Sequence, residues 1–496
     1  MPQKVNFQTL LESTNRASGF WAKAATVESQ PFAVETGFHI YGELNLTLKL
    51  TAAAETTDAT KLLQVLQEYV TIAETCAALV GAELLEVQGE RIHLLLPAPQ
   101  VTKDSVQALL RFCVAFTNTV YVRLQKLAAN DFRGFKMAAD HGRAVLVISG
   151  NQANASVVSL GICANAPAKQ LRIAEPGKLR MRTEHYKVLG QSDEWREWTN
   201  IPVKTNKGIV MPVAAEDLME QFASASEAEL KNFAGSVPTV KFGSRDYLRE
   251  ALKTQISESF KAQGFGFRAD LDGFSKQVAA AKNDSDVLDL VTRFTKIMAY
   301  PDYFMKRLGK PVVKLPWAGD CANLIVLPNG EGYDEAREFL PVQAASEWHS
   351  QKSGHDDSRT TWTTYFKESK WAVGIAGGDS EECSDGYILI APLKGKRRDF
   401  LVAAGWGIGR SLDAQECDEV KGGDTVLHEI DYGALASTHQ SVFSRLQGSS
   451  IFWVSNELTN EKIREAGAKV LAPKGALNVP GVSATIPTPK PWSKND

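Results

Sequence analysis

The chain has 496 residues, of which 44% are hydrophobic and 23% charged, with a formal net charge of −3. This composition describes a globular protein long enough for about three domains, and the near-neutral balance excludes the broad basic field on which nucleic-acid or membrane-surface binding depends. No apolar run reaches the roughly 18 residues of a membrane-spanning helix, so no integral membrane segment is expected. Six scattered cysteines, without a Cys-x-x-Cys pair, fit reduced thiols and a cytoplasmic location better than a disulfide framework. The opening Met-Pro-Gln-Lys-Val-Asn lacks the basic and then apolar pattern of a signal peptide. The histidines lack zinc-ligand spacing.

Residues 1–37 show no clear period and read as an N-terminal extension, with Phe20, Trp21 and Phe32 packing on the first domain. A β-rich run follows at 38–47. Residues 58–80 form an amphipathic helix pattern, with Leu62, Leu63, Leu66, Tyr69, Val70 and Ala73 on one face. Residues 82–87 and 91–96 flank Gly89-Glu90 as a hairpin. A second helix spans about 104–128, and strands at 135–139 and 144–149 are joined through Asp140-His141-Gly142. The order β-α-β-β-α-β predicts an α+β, ferredoxin-like domain over 38–214. Residues 215–260, rich in Ala, Glu, Ser and Lys, read as a helical connector. A second domain covers 261–479, with a helix at 287–294, strands at 312–315 and 323–327, a helix near 333–350, and an insertion at 351–398 containing a strand at 386–390. The proline-rich 480–496 segment reads as a flexible tail.

The two halves are related. Tyr41-Gly42-Glu43-Leu44-Asn45-Leu46-Thr47 lies against Arg268-Ala269-Asp270-Leu271-Asp272-Gly273-Phe274-Ser275, and Gly89-Glu90 lies against Gly319-Asp320. The paired carboxylates are 47 residues apart in the first half and 50 in the second, which indicates a diverged internal duplication.

The chemistry concentrates in the second half. Phe267-Arg268-Ala269-Asp270-Leu271-Asp272-Gly273-Phe274-Ser275 is an apolar run ending in an aspartate and a small turn; Trp317-Ala318-Gly319-Asp320 is a second run ending in Gly-Asp. Two carboxylates beside a turn of free backbone N–H groups suit a hard divalent cation and phosphates.

These motifs resemble the metal site of class III nucleotidyl cyclases, whose pattern is Phe-x-Asp-Ile-x-Gly-Phe-Thr followed by Gly-Asp. The resemblance implies two tandem cyclase domains forming an intrachain pseudo-dimer, with one active site between them. Asp270, Asp320 and the Leu271 carbonyl would hold two Mg²⁺ or Mn²⁺ ions, and the backbone of Gly273, Phe274 and Ser275 would hold phosphates of a nucleoside triphosphate. The family's Gly-x-x-Val-Asn-x-Ala-Ala-Arg pattern falls on Gly161-Ile162-Cys163-Ala164-Asn165-Ala166-Pro167-Ala168-Lys169, with Lys169 in the arginine's place. Lysine brings charge without the bidentate guanidinium fork. Lys204 or Lys207 stands at about the distance of the family's triphosphate lysine.

The corresponding stretch of the second half is read at 432–441, where neither asparagine nor arginine occurs. Glu43 and Glu90 are long enough to ligate a cation, but without those partners the duplicate site is expected to be inert. The family's base-reading positions carry Leu84 and Val158, which match neither the Lys/Asp pair of adenylyl cyclases nor the Glu/Cys pair of guanylyl cyclases. That departure, with Ala403-Ala404-Gly405-Trp406-Gly407-Ile408-Gly409-Arg410-Ser411, resembles bacterial anti-phage cyclases of the Pycsar type. It implies a uridylate cyclase making cyclic UMP, or its cytidylate counterpart. An adenylate cyclase with atypical base contacts and an inactive, nucleotide-binding sensor stay open as alternatives, as does further self-association.

Overall fold

Antiparallel pairing builds the first half around one long two-stranded ribbon. In the computed structural model, residues 25–27, 30–52, 56–149, 156–190, 196–233, 240–242, 256, 258–329, 331–350, 369–378, 385–396, 398–417, 419–456, 458 and 460–466 are described. Strand β1 (Gln30–Leu46) is followed by α1 (Thr56–Val80), β2 (Glu83–Gln88), β3 (Arg91–Pro97), α2 (Lys103–Ala128) and β4 (Phe132–Ser149). This is the β-α-β-β-α-β order expected from the periodicity. Then come β5 (Ser156–Leu160), α3 (Ile162–Gln170), β6 (Lys178–Arg182), β7 (Trp198–Pro202) and α4 (Glu216–Phe233). The sheet order is β2-β3-β1-β4-β6-β7, with β5 paired to the far end of β4.

Local sequence explains these elements. The predicted apolar face of α1 is buried from Leu62 to Ala73. Helix α2 begins at a capping box in which Thr102 and Ser105 satisfy each other's backbone N–H groups. One expectation changes. The strands read at 135–139 and 144–149 are a single strand, because Asp140, His141 and Gly142 stay extended opposite His39, Phe38 and Gly37. Asp140 is buried there against Arg182 at 2.9 Å, and the His141 ring bonds the Ala98 carbonyl at 2.8 Å. Tertiary partners for these polar groups override a local turn signal.

The second half repeats the plan. Strands β8 (Phe260–Gln263) and β9 (Phe265–Asp272) lead into α5 (Phe274–Ala280), α6 (Asp284–Ile297) and α7 (Tyr300–Leu308). After β10 (Val312–Lys314) and β11 (Cys321–Val326) come α8 (Leu340–Ser350), β12 (Lys370–Ala376), β13 (Tyr387–Leu393), β14 (Phe400–Ala404), α9 (Trp406–Gln415), β15 (Asp424–His428) and β16 (Phe452–Asn456). The order β10-β11-β9-β12-β15-β16 reproduces that of the first sheet strand for strand. The first half's long ribbon is split here, so that β8, β13 and β14 form a separate sheet. Of the segment read as an insertion, 369–378 and 385–396 carry the counterparts of β4; residues 351–368 lie outside the described residues. So do Phe20, Trp21 and the 480–496 segment.

Each half completes the other's core. The ribbon ends of the first half, with Phe32, Val34, Val145, Val147, Val158 and Leu160, pack into the core around Leu290, Val291 and Phe294 of α6. Reciprocally, Leu389, Ala391 and Leu393 of β13 and Phe400 and Val402 of β14 pack with Leu62, Leu66 and Tyr69 of α1. The exchange fixes the halves face to face by apolar burial on both flanks.

Truncating Phe400, which is 2% exposed, to alanine should therefore cost about 3–5 kcal/mol in urea unfolding. Hydrogen exchange should accelerate in α1, although Phe400 belongs to the other half.

Candidate active site between the two halves

Asp270 lies on β9, where period-two alternation places Arg268, Asp270 and Asp272 on one face. Asp320 sits in the tight turn before β11, in which Gly319 adopts φ 61°. The Leu271 N–H donates to the Asp320 carbonyl at 3.3 Å. Register confirms the duplication: Asp270 pairs with Cys321 just as Glu43 pairs with Arg91.

Helix α3 of the first half brings the other side of the site. The Asn165 side-chain amide donates to Ser275 Oγ at 2.8 Å and to Asp320 Oδ1 at 3.4 Å. Ser275 Oγ in turn donates to Asp320 Oδ2 at 3.1 Å. A Cβ at position 319 would stand 2.8 Å from Asn165 Oδ1, so both the backbone conformation and this close approach require glycine. Lys169, one turn beyond Asn165, lines the same cleft. The structure thus brings Asp270, Asp320, Ser275, Asn165 and Lys169 together. The cleft has a volume of about 590 Å³ and also receives Arg91, Arg172, Arg268 and Glu416.

The electrostatics are those of two buried carboxyls that repel one another. Burial, then the Asp320 charge, push the Asp270 carboxyl well above the usual carboxylate range, with Lys169 acting in the opposite sense. Burial raises Asp320 as well, against hydrogen bonds from its own backbone and from Ser275, whose hydroxyl and N–H both favour the charged form. Among the described residues, no three His, Cys, Asp or Glu side chains are placed to hold a metal ion together. A pair of carboxylates in a polar cleft fits Mg²⁺ or Mn²⁺, which take one or two carboxylates and complete their shell with water, carbonyl and phosphate oxygens.

Other expected residues are not in the cleft lining. Gly273, at φ 84°, caps α5 and Phe274 is buried beneath it. Lys204 is directed away from the cleft, its Nζ 3.8 Å from the centre of the Tyr121 ring; Lys207 is exposed and neither lines the cavity. Leu84 and Val158 are not in its lining either, and Val158 is fully buried. The cleft arginines escape motif reading, although alternation along β9 already places Arg268 on the face of Asp270.

The first half's acidic pair has a different fate. Glu43 bonds Arg91 at 3.1 Å and Lys136 at 2.8 Å, and by strand register these two cations stand where Cys321 and Ala372 flank Asp270. Glu43 is thereby held below the usual carboxylate range, whereas burial and the Glu43 charge push Glu90 up to about 7. The protein's own cations answer Glu43, in place of the metal-ligating role its length allows. The counterpart of α3 also differs from expectation. It is α9, which follows β14 as α3 follows β5, and not the 432–441 stretch. Gly409 and Asp413 fall at the positions of Asn165 and Lys169.

No family model and no curated protein matches the chain. Among solved structures, a class III adenylyl cyclase-like ATP-binding protein from Pseudomonas aeruginosa superposes with a TM-score of 0.65 at 17% identity, over 88% of this chain and 91% of that one. The guanylyl cyclase Cya2 aligns over 37% of this chain and 98% of its own, at 13% identity and a TM-score of 0.29. The adenylyl cyclase CyaB from P. aeruginosa aligns over 36% and 99%, at 15% identity and a TM-score of 0.28. The full-length likeness shows the fold: an α+β chain with two class III cyclase-like units in tandem. No helix among the described residues is long and apolar enough to cross a membrane.

Two outcomes follow from the charges. Lys136→Ala leaves Glu43 with one cation and should cost about 1–3 kcal/mol in chemical denaturation. Because Asp270 and Asp320 hold protons that the unfolded chain releases, the metal-free protein should lose stability as pH rises through their raised range. Asp270→Asn should flatten that decline in a melting series, raise the melting temperature at pH 8, and abolish the upshift that Mn²⁺ gives the parent chain.

Proposed function

We propose that the chain is a nucleotidyl cyclase that converts a nucleoside triphosphate into a 3′,5′-cyclic nucleotide and pyrophosphate at a single site between its halves. The observation that carries this reading is the meeting of Asp270 and Asp320 from one half with Asn165 and Lys169 from the other. A binding module has no need of two buried, mutually repelling carboxylates faced by a donor and a cation. The likeness to a cyclase-like ATP-binding protein supports a nucleotide as ligand.

Two divalent cations, held by Asp270, Asp320 and the Leu271 carbonyl, would supply Lewis acidity for ionising the ribose 3′-OH and drawing charge from the α-phosphate. The chain's own groups do the rest. Ser275 holds Asp320 in place by its hydroxyl. Backbone N–H groups of Gly273 and Phe274, at the open end of α5, suit the outer phosphates. Asn165 orients the ribose, and Lys169 stabilises negative charge as the 3′-oxygen attacks phosphorus and pyrophosphate leaves. With Lys204 engaged on Tyr121, the cleft offers Arg172 for the triphosphate, once released from the Glu416 carbonyl that it bonds at 2.7 Å.

The proposed substrate is a pyrimidine nucleotide, UTP first, and the proposed role is signal generation in bacterial anti-phage defence, as for the Pycsar-type enzymes the chain resembles. Leu84 and Val158, which lie outside the cleft lining, do not reproduce the Lys/Asp or Glu/Cys pair of the purine-using cyclases. A second reading, a nucleotide sensor without turnover, is favoured by the hydrogen bonds that tie Asn165 and Ser275 to Asp320 and by lysine in place of arginine.

Incubating the full chain with ATP, GTP, CTP and UTP plus Mn²⁺, with mass-spectrometric product analysis, tests these readings. Cyclic UMP or cyclic CMP is expected, with the rate reduced by about three orders of magnitude in Asp270→Ala or Asp320→Ala. Cyclic AMP as sole product would retain the cyclase and remove the pyrimidine assignment. Tight nucleotide binding with no cyclic product would establish the sensor.

A further inference from the structure

Arg268 is a buried cation facing the cleft. It is 7% exposed, and its Nη1 donates to Asn323 Oδ1, while Asn323 is itself anchored through its Nδ2 to the Pro316 carbonyl at 2.6 Å. Among the described residues no carboxylate forms an ion pair with it. The contrast with its neighbour is instructive: Arg91, across the same cleft, is neutralised by Glu43 at 3.1 Å. Burying a charge is costly unless it is paired and hydrogen-bonded. An arginine carries five N–H donors in a fixed fork, and Asn323 accepts from one nitrogen only. Arg268 lines the cavity, and the amide that orients it is neutral and leaves its positive charge intact.

Position says which part of a ligand they meet. Arg268, Asp270 and Asp272 share one face of β9 and all line the cleft, and the Gly273 turn lies beyond Asp272. Two residues along a strand is about 7 Å. A nucleotide with its phosphates toward the Gly273 turn and its α-phosphate near Asp270 therefore extends its nucleoside end toward Arg268. A donor-only fork recognises adjacent or paired acceptors: O2 and N3 of cytosine, O6 and N7 of guanine, or a carbonyl of uracil. The amino-bearing edge of adenine turns a donor toward it.

We propose that Arg268 is a specificity-determining residue that reads carbonyl oxygen on the base and so disfavours adenine. The assignment rests on the nucleotide-site reading above and deepens it, since it supplies the polar contact that Leu84 and Val158 do not. It also places the reader on the half that carries the acidic pair, oriented by Asn323 two residues along β11 from Cys321.

The test is binding rather than turnover, so that it stands apart from the cyclase reading. Calorimetric titration of the full chain in Mn²⁺ uses 3′-deoxy-UTP, 3′-deoxy-CTP, 3′-deoxy-GTP and 3′-deoxy-ATP, which cannot cyclise, and inorganic triphosphate. The parent should favour at least one carbonyl-bearing nucleotide over the adenine nucleotide by about ten- to a hundredfold. Arg268→Met should erase that preference while leaving the adenine nucleotide and triphosphate within about threefold, and Arg268→Lys should restore only part of it. Equal weakening of every ligand, triphosphate included, would make Arg268 a phosphate ligand and overturn the proposal. An unchanged preference in Arg268→Met, or a parent that favours adenine, would overturn it as well. If circular dichroism shows Arg268→Met unfolded, Asn323→Ala, which keeps the guanidinium and removes its orienting acceptor, should show a smaller loss of the same preference; an unchanged preference there overturns the proposal. A discriminating chain that yields no cyclic product would remove the cyclase reading and leave this one standing.

Discussion

Asp270 and Asp320 repel one another in a buried cleft, and the surrounding structure is arranged so that they can both be there. Among the described residues, neither has an ion-pair partner of its own half. Relief comes from a serine hydroxyl and N–H one turn away and, across the interface, from an asparagine amide and a lysine. Each of these is a partial answer to two negative charges, which is why both carboxyls remain shifted upward. A site of this kind is less stable empty than an apolar one of the same volume, a cost that functional sites commonly carry.

The relief depends on how the halves are held. Asn165 reaches Asp320 only because α3 is fixed against the Gly319 turn, and α3 is fixed because the ribbon ends of each half are built into the core of the other. The interface is thus continuous with both cores, and large apolar burial on its flanks positions a small number of polar contacts at its centre. A site assembled from both halves of one chain gains the precision of a folded core without requiring a second molecule.

Duplication gave this architecture two equivalent acidic positions, and side chains made them unequal. The same strand register that sets Asp270 beside Cys321 and Ala372 sets Glu43 beside Arg91 and Lys136. In one half the acidic position is flanked by small neutral residues; in the other it is filled by two basic ones. Helix α9 completes the asymmetry, since glycine and aspartate stand where α3 has asparagine and lysine. The cations that neutralise Glu43 also leave Arg91 as a wall of the cleft that holds Asp270 and Asp320.

What the sequence determined by itself is whatever short-range pattern encodes. The helices at 56–80 and 103–128, the β2–β3 hairpin and the strand that carries Asp270 follow from apolar period and turn residues within windows of a dozen positions. The matching of Glu43 with Asp270 and of Glu90 with Asp320 follows from duplication, and register bears it out. Tertiary structure alone decided the rest. It made 132–149 one strand, because Arg182 and a backbone carbonyl satisfy polar groups that otherwise signal a turn. It turned Lys204 onto Tyr121, put α9 where the 432–441 stretch was expected, and left Arg268 buried without a carboxylate. Each of those outcomes is set by which distant strand or side chain comes into contact, and a linear pattern carries no record of that.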